Sequence, residues 1–293
     1  MNAKKLERLM SKKTIKYKLI IFILIITYLI FILINEFSQL TYYDIGSFEN
    51  TNFERKDPTR VGMENITAKR IPVLTYHMIV YDWEKKRAKN RGNSIVLSLS
   101  SFKKQMKWLK KRKYFTLNCK EFYLWHQGKI KLPKKSVLIT FDGGSIGQAK
   151  FAMPILKKYN MKGTTFIIGK LTYNNKKGII NYNQINEIRK YYPNFEFQSH
   201  TFDLHIRFTE NVYDKTLKDA LLQKKYYNFQ YIAYPYGDYS SEMIKAYNDS
   251  GIKMAFTYGK NGYATREQDI FKIRRIKVYS KESFSKFTRW FLD

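Results

Sequence analysis

Cysteine is almost absent. Cys119 stands alone in 293 residues, so no intramolecular disulfide can form and no metal site can be built from thiolates. Stability therefore rests on an apolar core, and any bound metal must be held by His, Asp or Glu. Histidine is scarce as well, with four in the chain, so two of them close together carry information. Acidic residues are outnumbered 24 to 54 by Lys and Arg, which leaves a formal charge of +30. Such a balance attracts nucleic acid, anionic lipid or an acidic wall polymer without choosing between them, and it equally describes a lysine-rich solvated surface. No internal repeat or low-complexity tract is present. The 44% hydrophobic content is ample for one large domain or two small ones.

Long apolar runs are also missing, with one exception. LIIFILIITYLIFILI occupies 19–34, behind a basic stretch that carries Lys4, Lys5, Arg8, Lys12, Lys13, Lys16 and Lys18. This pattern predicts a basic cytoplasmic segment over 1–18 and a transmembrane signal anchor over 19–35. No small-x-small cleavage site follows in NEFSQLTYYD, so the anchor is expected to be retained and the remainder to lie outside the cell membrane. Residues 36–70 are polar without a strong period and read as an extracellular linker, leaving 71–293 as the folded domain.

Beyond residue 70, short β-prone runs alternate with helical patterns: PVLTYH (72–77), SFKKQMKWLKKRK (101–113), SVLITFD (136–142), AMPILKKYN (152–160), GTTFIIG (163–169), NQINEIRKYY (183–192), FEFQSH (195–200), YIAYPYG (231–237), SEMIKAYNDSG (241–251) and MAFTYG (254–259). The alternation predicts an α/β domain of parallel strands covered by helices. Ser101, Asn183 and Ser240 are the expected helix caps, and Gly251 the expected stop. In the lysine-rich helix, Phe102, Met106 and Leu109 are expected to face inward.

Three runs place reactive side chains at the C-terminal end of a strand, where α/β barrels collect their active sites. SVLITFDGG ends in Asp142, FEFQSHTFDLH carries His200 and His205, and YIAYPYGDY carries Pro235, Tyr236 and Asp238. Two imidazoles five residues apart can bind a borderline divalent metal and leave positions open for water and substrate. Two unrelated surface histidines would show the same spacing, and a strand-end Asp often only caps a helix. His77, at the end of the first strand, either faces the mouth or serves the core; His126 is expected on a helix surface.

Taken together, TFDGG, SHTFDLH and AYPYG resemble the motifs of the polysaccharide deacetylases, the NodB-homology domains of carbohydrate esterase family 4. The resemblance is strongest to the poly-β-1,6-N-acetylglucosamine N-deacetylases of the intercellular-adhesion type. It runs over most of 71–280 and includes YHMI (76–79), KLPKKSVLITFD (131–142), FAMPILKKYNMKGTTFII (151–168) and KIRRI (272–276). It implies an α/β fold, a distorted (β/α) barrel, and metal-assisted hydrolysis of acetamide groups on an N-acetylglucosamine polysaccharide. A divalent metal, Zn, Co or Ni, is the implied cofactor. Carried over by position, Asp142 matches the general base, His200 and His205 the metal ligands, and Tyr236 the residue whose backbone N–H faces the oxyanion. His77, Asp203, Pro235, Asp238 and Arg275 fall at substrate-binding or supporting positions. The partners expected are the glycan, the membrane through the N-terminal helix and, as a candidate, an exopolysaccharide synthase at the same membrane; nucleic acid is not expected.

Two positions depart from the pattern. The family's metal-binding Asp is replaced by Gly143, and Arg274 stands where the subgroup usually carries Pro. Asp203 or Asp238 is a candidate source of the missing carboxylate, and Asp142 itself is another at the expense of its role as base. Loss of the oxygen ligand weakens divalent binding and opens a second reading, a catalytically impaired relative that binds glycan without hydrolysing it.

Overall fold

In the computed structural model, residues 17, 19–31, 68–90, 94–206, 212–258 and 263–292 are described. Residues 19–31 are helical with exposed side chains, a length of about 20 Å at 1.5 Å per residue. Among the described residues no helix is long and apolar enough to cross a membrane. Residues 32–35 of the expected anchor, with most of 1–18 and of the 36–70 linker, lie outside the described residues.

Seven parallel strands close into a barrel: β1 (Arg70–Tyr76), β5 (Ser136–Asp142), β6 (Gly163–Ile167), β7 (Phe195–Ser199), β8 (Tyr231–Ala233), β9 (Met254–Tyr258) and β11 (Ile273–Lys277). Closure comes at β1, which pairs with β5 through Val73–Tyr76 against Leu138–Phe141 and with β11 through Leu74 and Thr75 against Ile276 and Lys277. Outside the ring, β4 (Phe115–Leu117) lies beside β5 and β10 (Tyr263–Thr265) runs antiparallel to β1. A small parallel pair, β2 (Met78–Val80) and β3 (Val96–Ser98), brackets helix α1 (Asp82–Asn90). Because all ring strands run one way, their C-terminal ends share a single mouth.

The strands read as continuous apolar runs because both faces are covered; every residue of β5 is buried, and so is β1 after Arg70. Val73, Leu138, Phe166, Tyr231, Ala233, Met254, Phe256 and Ile273 belong to one buried cluster drawn from different strands, and Phe166 and Phe256 meet at 5.4 Å between ring centroids. Burial of each such aromatic side chain contributes roughly 1.5–3 kcal/mol. Helices α2 (Leu99–Lys111), α3 (Cys119–His126), α4 (Met153–Lys158), α5 (Gly169–Tyr173), α6 (Tyr182–Tyr191), α7 (Val212–Tyr227), α8 (Ser241–Asp249) and α9 (Phe284–Arg289) connect these strands or follow them. As expected, Phe102, Met106 and Leu109 of α2 are fully buried.

Several boundaries differ from the sequence expectation for identifiable reasons. The linker does not reach residue 70: Ala68 is buried with its N–H bonded to Leu132 O at 2.8 Å, and Arg70 already opens β1. Helix α2 is capped by Ser98, not Ser101, because the Ser98 hydroxyl accepts the Ser101 N–H. Asn181, not Asn183, caps α6, where Asn181 and Gln184 form a reciprocal capping box. Ser240 caps α8 and Gly251, at φ +86°, follows its end, both as expected. A π-helical turn, Gln148–Ala152, precedes α4 and carries no signature in the sequence.

Candidate active site at the barrel mouth

Asp142 is the last residue of β5, and its carboxylate is almost wholly enclosed, at 1% side-chain exposure. Arg275 reaches it from β11, on the other side of β1: Nη1 donates to Oδ1 at 2.7 Å and Nη2 to Oδ2 at 2.8 Å. The Tyr258 hydroxyl, at the end of β9, donates to Oδ2 at 2.7 Å. Burial opposes charge on Asp142, but the Arg275 guanidinium, followed by His200, overrides it and holds the carboxyl far below the usual carboxylate range. The guanidinium lies over Phe166, Phe256 and Tyr258, at 5.4, 6.0 and 4.8 Å from their ring centroids. The ion pair thus caps the aromatic filling of the barrel.

Gln148 ties the rim together. Its amide nitrogen donates to Asp142 O at 2.9 Å and His77 O at 2.7 Å, while its amide oxygen accepts from Thr165. His77 faces the mouth, with Nε2 4.0 Å from Asp142 Oδ2, and burial lowers its pKa against the pull of that carboxylate.

His200 follows β7 directly and is fully enclosed. Its Nδ1 lies 2.8 Å from Ala233 O, and a carbonyl only accepts, so Nδ1 carries the hydrogen and Nε2 presents a lone pair. Burial pushes the His200 pKa down to about 4, so the ring is neutral at physiological pH. Thr201 then takes the left-handed conformation, φ 69°, unusual for a β-branched residue, and the segment turns back. As a result, the His205 ring comes to 4.9 Å from His200 and 5.0 Å from Tyr236. Burial lowers the His205 pKa as well.

After β8, Pro235–Gly237 form a single 3₁₀ turn with Tyr236 at φ 61°. Gly237, at φ +81°, packs on the ring of Tyr258, where a Cβ would stand 2.4 Å from Cδ2. The Tyr236 turn and the tyrosine that holds Asp142 are therefore fitted to each other. Asp238 sits on this turn and its N–H bonds Pro235 O.

The structure thus brings Asp142, Arg275, His77, His200, His205 and Tyr236 to one mouth. Asp203 is half-exposed and paired with Lys170, its N–H held by Asp219 at 2.7 Å, which corrects its expected place as a substitute ligand. Arg274 points outward from β11, away from the site, because alternate residues of a strand face opposite sides. His126 is half-buried with Nε2 2.9 Å from Gln268 O, rather than free on a helix surface. Tyr258 and Gln148 were missed in the sequence; Tyr258 ends an apolar strand just as Asp142 does, and that same signal points to it.

For a divalent cation, the residues fit as two neutral imidazoles without a carboxylate. Gly143 has φ +86° and open space where a side chain would begin, and both Asp142 oxygens are engaged by Arg275 and Tyr258. Among the described residues no group of three or more His, Cys, Asp or Glu side chains is placed to hold one ion.

Comparison with known proteins agrees with this architecture. The polysaccharide deacetylase family profile matches residues 129–255. YxkH of Bacillus subtilis, whose name assigns it provisionally to the polysaccharide deacetylases, is 30% identical over 240 residues, which cover 80% of each chain. The poly-β-1,6-N-acetyl-D-glucosamine N-deacetylase of Staphylococcus epidermidis is 32% identical over 203 residues, 62% of this chain and 68% of that one. Among solved structures, the Streptococcus pyogenes deacetylase PplD, in complex with acetate, superposes with a TM-score of 0.67 at 25% identity, covering 78% of this chain and 100% of that one. With a barrel of this topology, a site at its mouth and relatives of this extent, the chain belongs to the polysaccharide deacetylase family of NodB-homology domains.

Proposed function

We propose that this chain is an N-deacetylase of an N-acetylglucosamine exopolysaccharide, held at the outer face of the cell membrane by its N-terminal apolar segment and assisted by a divalent cation at His200 and His205. The observation that carries the proposal is the meeting of Asp142, His200, His205 and the Tyr236 turn at one barrel mouth. The Staphylococcus relatives, by name, act on poly-β-1,6-N-acetyl-D-glucosamine.

In this reading Asp142 accepts the proton of the water that attacks the acetamide carbonyl. Arg275 and Tyr258 keep its oxygens in one orientation. The backbone of the Tyr236 turn faces the carbonyl oxygen as charge develops on it. The C–N bond breaks, leaving acetate and a free amine on the polymer. A divalent cation, zinc, cobalt or nickel, supplies Lewis acidity to that carbonyl when bound, with the two imidazoles as its protein ligands. The product amines would make the polymer cationic and favour its adhesion to an anionic cell surface.

Two observations favour a second reading. Gly143 offers no carboxylate, and a carboxyl held as low as that of Asp142 is a weak base. On this ground the mouth binds the glycan without hydrolysing it.

Acetate release from N-acetylglucosamine oligomers by the full chain, with and without added Zn, Co or Ni, separates the two. Metal-dependent release that Asp142→Asn abolishes supports the enzyme. Silence of the native chain, with activity and bound metal both gained in Gly143→Asp, supports the glycan-binding relative.

A further inference from the structure

We infer that Tyr81 and Trp83, on the rim of the mouth, form a stacking platform for a saccharide chain, which extends the site beyond the sugar residue at Asp142. The inference rests on the glycan reading above. The two rings are stacked, with centroids 6.4 Å apart and planes 13° from parallel. Trp83 is 55% exposed and Tyr81 39% exposed, and Met78, three residues before Tyr81 in the chain, is 37% exposed. A single exposed aromatic requires no explanation. A stacked and exposed aromatic pair near a candidate site is an apolar patch, and such patches mark binding surfaces.

Position links this patch to the mouth. β2 continues from His77, whose ring faces Asp142, and Tyr81 is four residues farther on, at most about 13 Å along an extended chain. The Tyr81 ring meets Phe151 edge-on at 4.7 Å, on the π-turn whose Gln148 binds Asp142 O. Lys85 Nζ donates to Ser280 O at 3.1 Å, which ties α1 to the loop after β11. The pair is thus mounted on elements belonging to β1, β5 and β11, the strands that supply His77, Asp142 and Arg275.

The chemistry suits a neutral sugar polymer. An aromatic face carries partial negative charge and receives the apolar C–H face of a saccharide ring. The Arg87 guanidinium lies over the Trp83 ring, 5.1 Å from its centroid, and Lys150 Nζ over that of Tyr81 at 5.7 Å, so a hydrogen-bond donor stands over one face of each ring. On the other side of the mouth, Tyr236 and Tyr239 are 45% and 41% exposed on the loop after β8. The polymer would run from these tyrosines past Asp142 to Tyr81 and Trp83.

Binding of β-1,6-linked N-acetylglucosamine dimer and hexamer to the full chain, measured by calorimetry, tests the platform. The native chain should bind the hexamer more tightly than the dimer. Trp83→Ala should weaken the hexamer about tenfold and leave the dimer unchanged, whereas Trp83→Phe, which keeps a ring, should retain most of the difference. Equal hexamer affinity in Trp83→Ala and the native chain overturns the platform while leaving the glycan reading intact. Failure of the native chain to bind either oligomer overturns the glycan reading and the platform with it.

Discussion

Arg275 and Asp142 meet at the barrel mouth in a two-pronged ion pair, 0% and 1% exposed at their side chains. Two charges in an apolar interior are stable only together, since each would otherwise sit in a low dielectric without a partner. The pair therefore couples the candidate base to the packing of the whole barrel.

Removing one partner should expose that coupling. Arg275→Met leaves Asp142 buried without its charged partner, held by the Tyr258 hydroxyl, and should cost about 3–5 kcal/mol of stability, read by denaturant unfolding. It should also raise the Asp142 pKa, since the guanidinium is the main influence holding it down.

Tyr258→Phe is a gentler probe. The ring that packs against Gly237 is kept, and one hydrogen bond to a buried carboxylate is lost. The expected cost is about 1.5–3 kcal/mol in the same unfolding measurement.

Acid should destabilise the fold in two steps. The His200 imidazole takes up its proton near pH 6.5 when unfolded and only near 4 when folded. Through that window the unfolded state binds more protons, so stability is full above about pH 6.5 and falls as pH drops towards 4, by about 3 kcal/mol. His200→Gln should flatten this part of a stability-against-pH curve. Asp142, whose pKa is depressed, adds a further loss below the ordinary carboxylate range.

Two glycines should respond differently to a methyl group. At Gly143 the added Cβ meets nothing within 4 Å, so Gly143→Ala should cost only the left-handed backbone penalty, about 1–2 kcal/mol. At Gly237 the same penalty is joined by a clash with the Tyr258 ring at 2.4 Å. Gly237→Ala should therefore lower the melting temperature more and also disturb Asp142.

Much of this architecture was legible in the chain. SVLITFD is β5 residue for residue, because a strand buried on both faces must be apolar throughout. The strand-end positions of Asp142, His200 and Tyr236 followed from the same runs, and so did the mouth that gathers them. Helix starts were read two or three residues late at Ser101 and Asn183, since a true cap is recognised by which N–H its side chain accepts.

The alternation of strands with helices and the residue types at the strand ends were determined by sequence, through hydrophobic periodicity and side-chain chemistry acting locally, while the barrel was implied by the family resemblance of the motifs. Tertiary structure alone decided the pairing of Asp142 with Arg275, 133 residues apart, and the diversion of Asp203 to Lys170. It alone brought His205 back to His200 through the left-handed Thr201. The physical reason is that these relationships depend on barrel closure, which sets the distance between side chains on strands that share no local pattern.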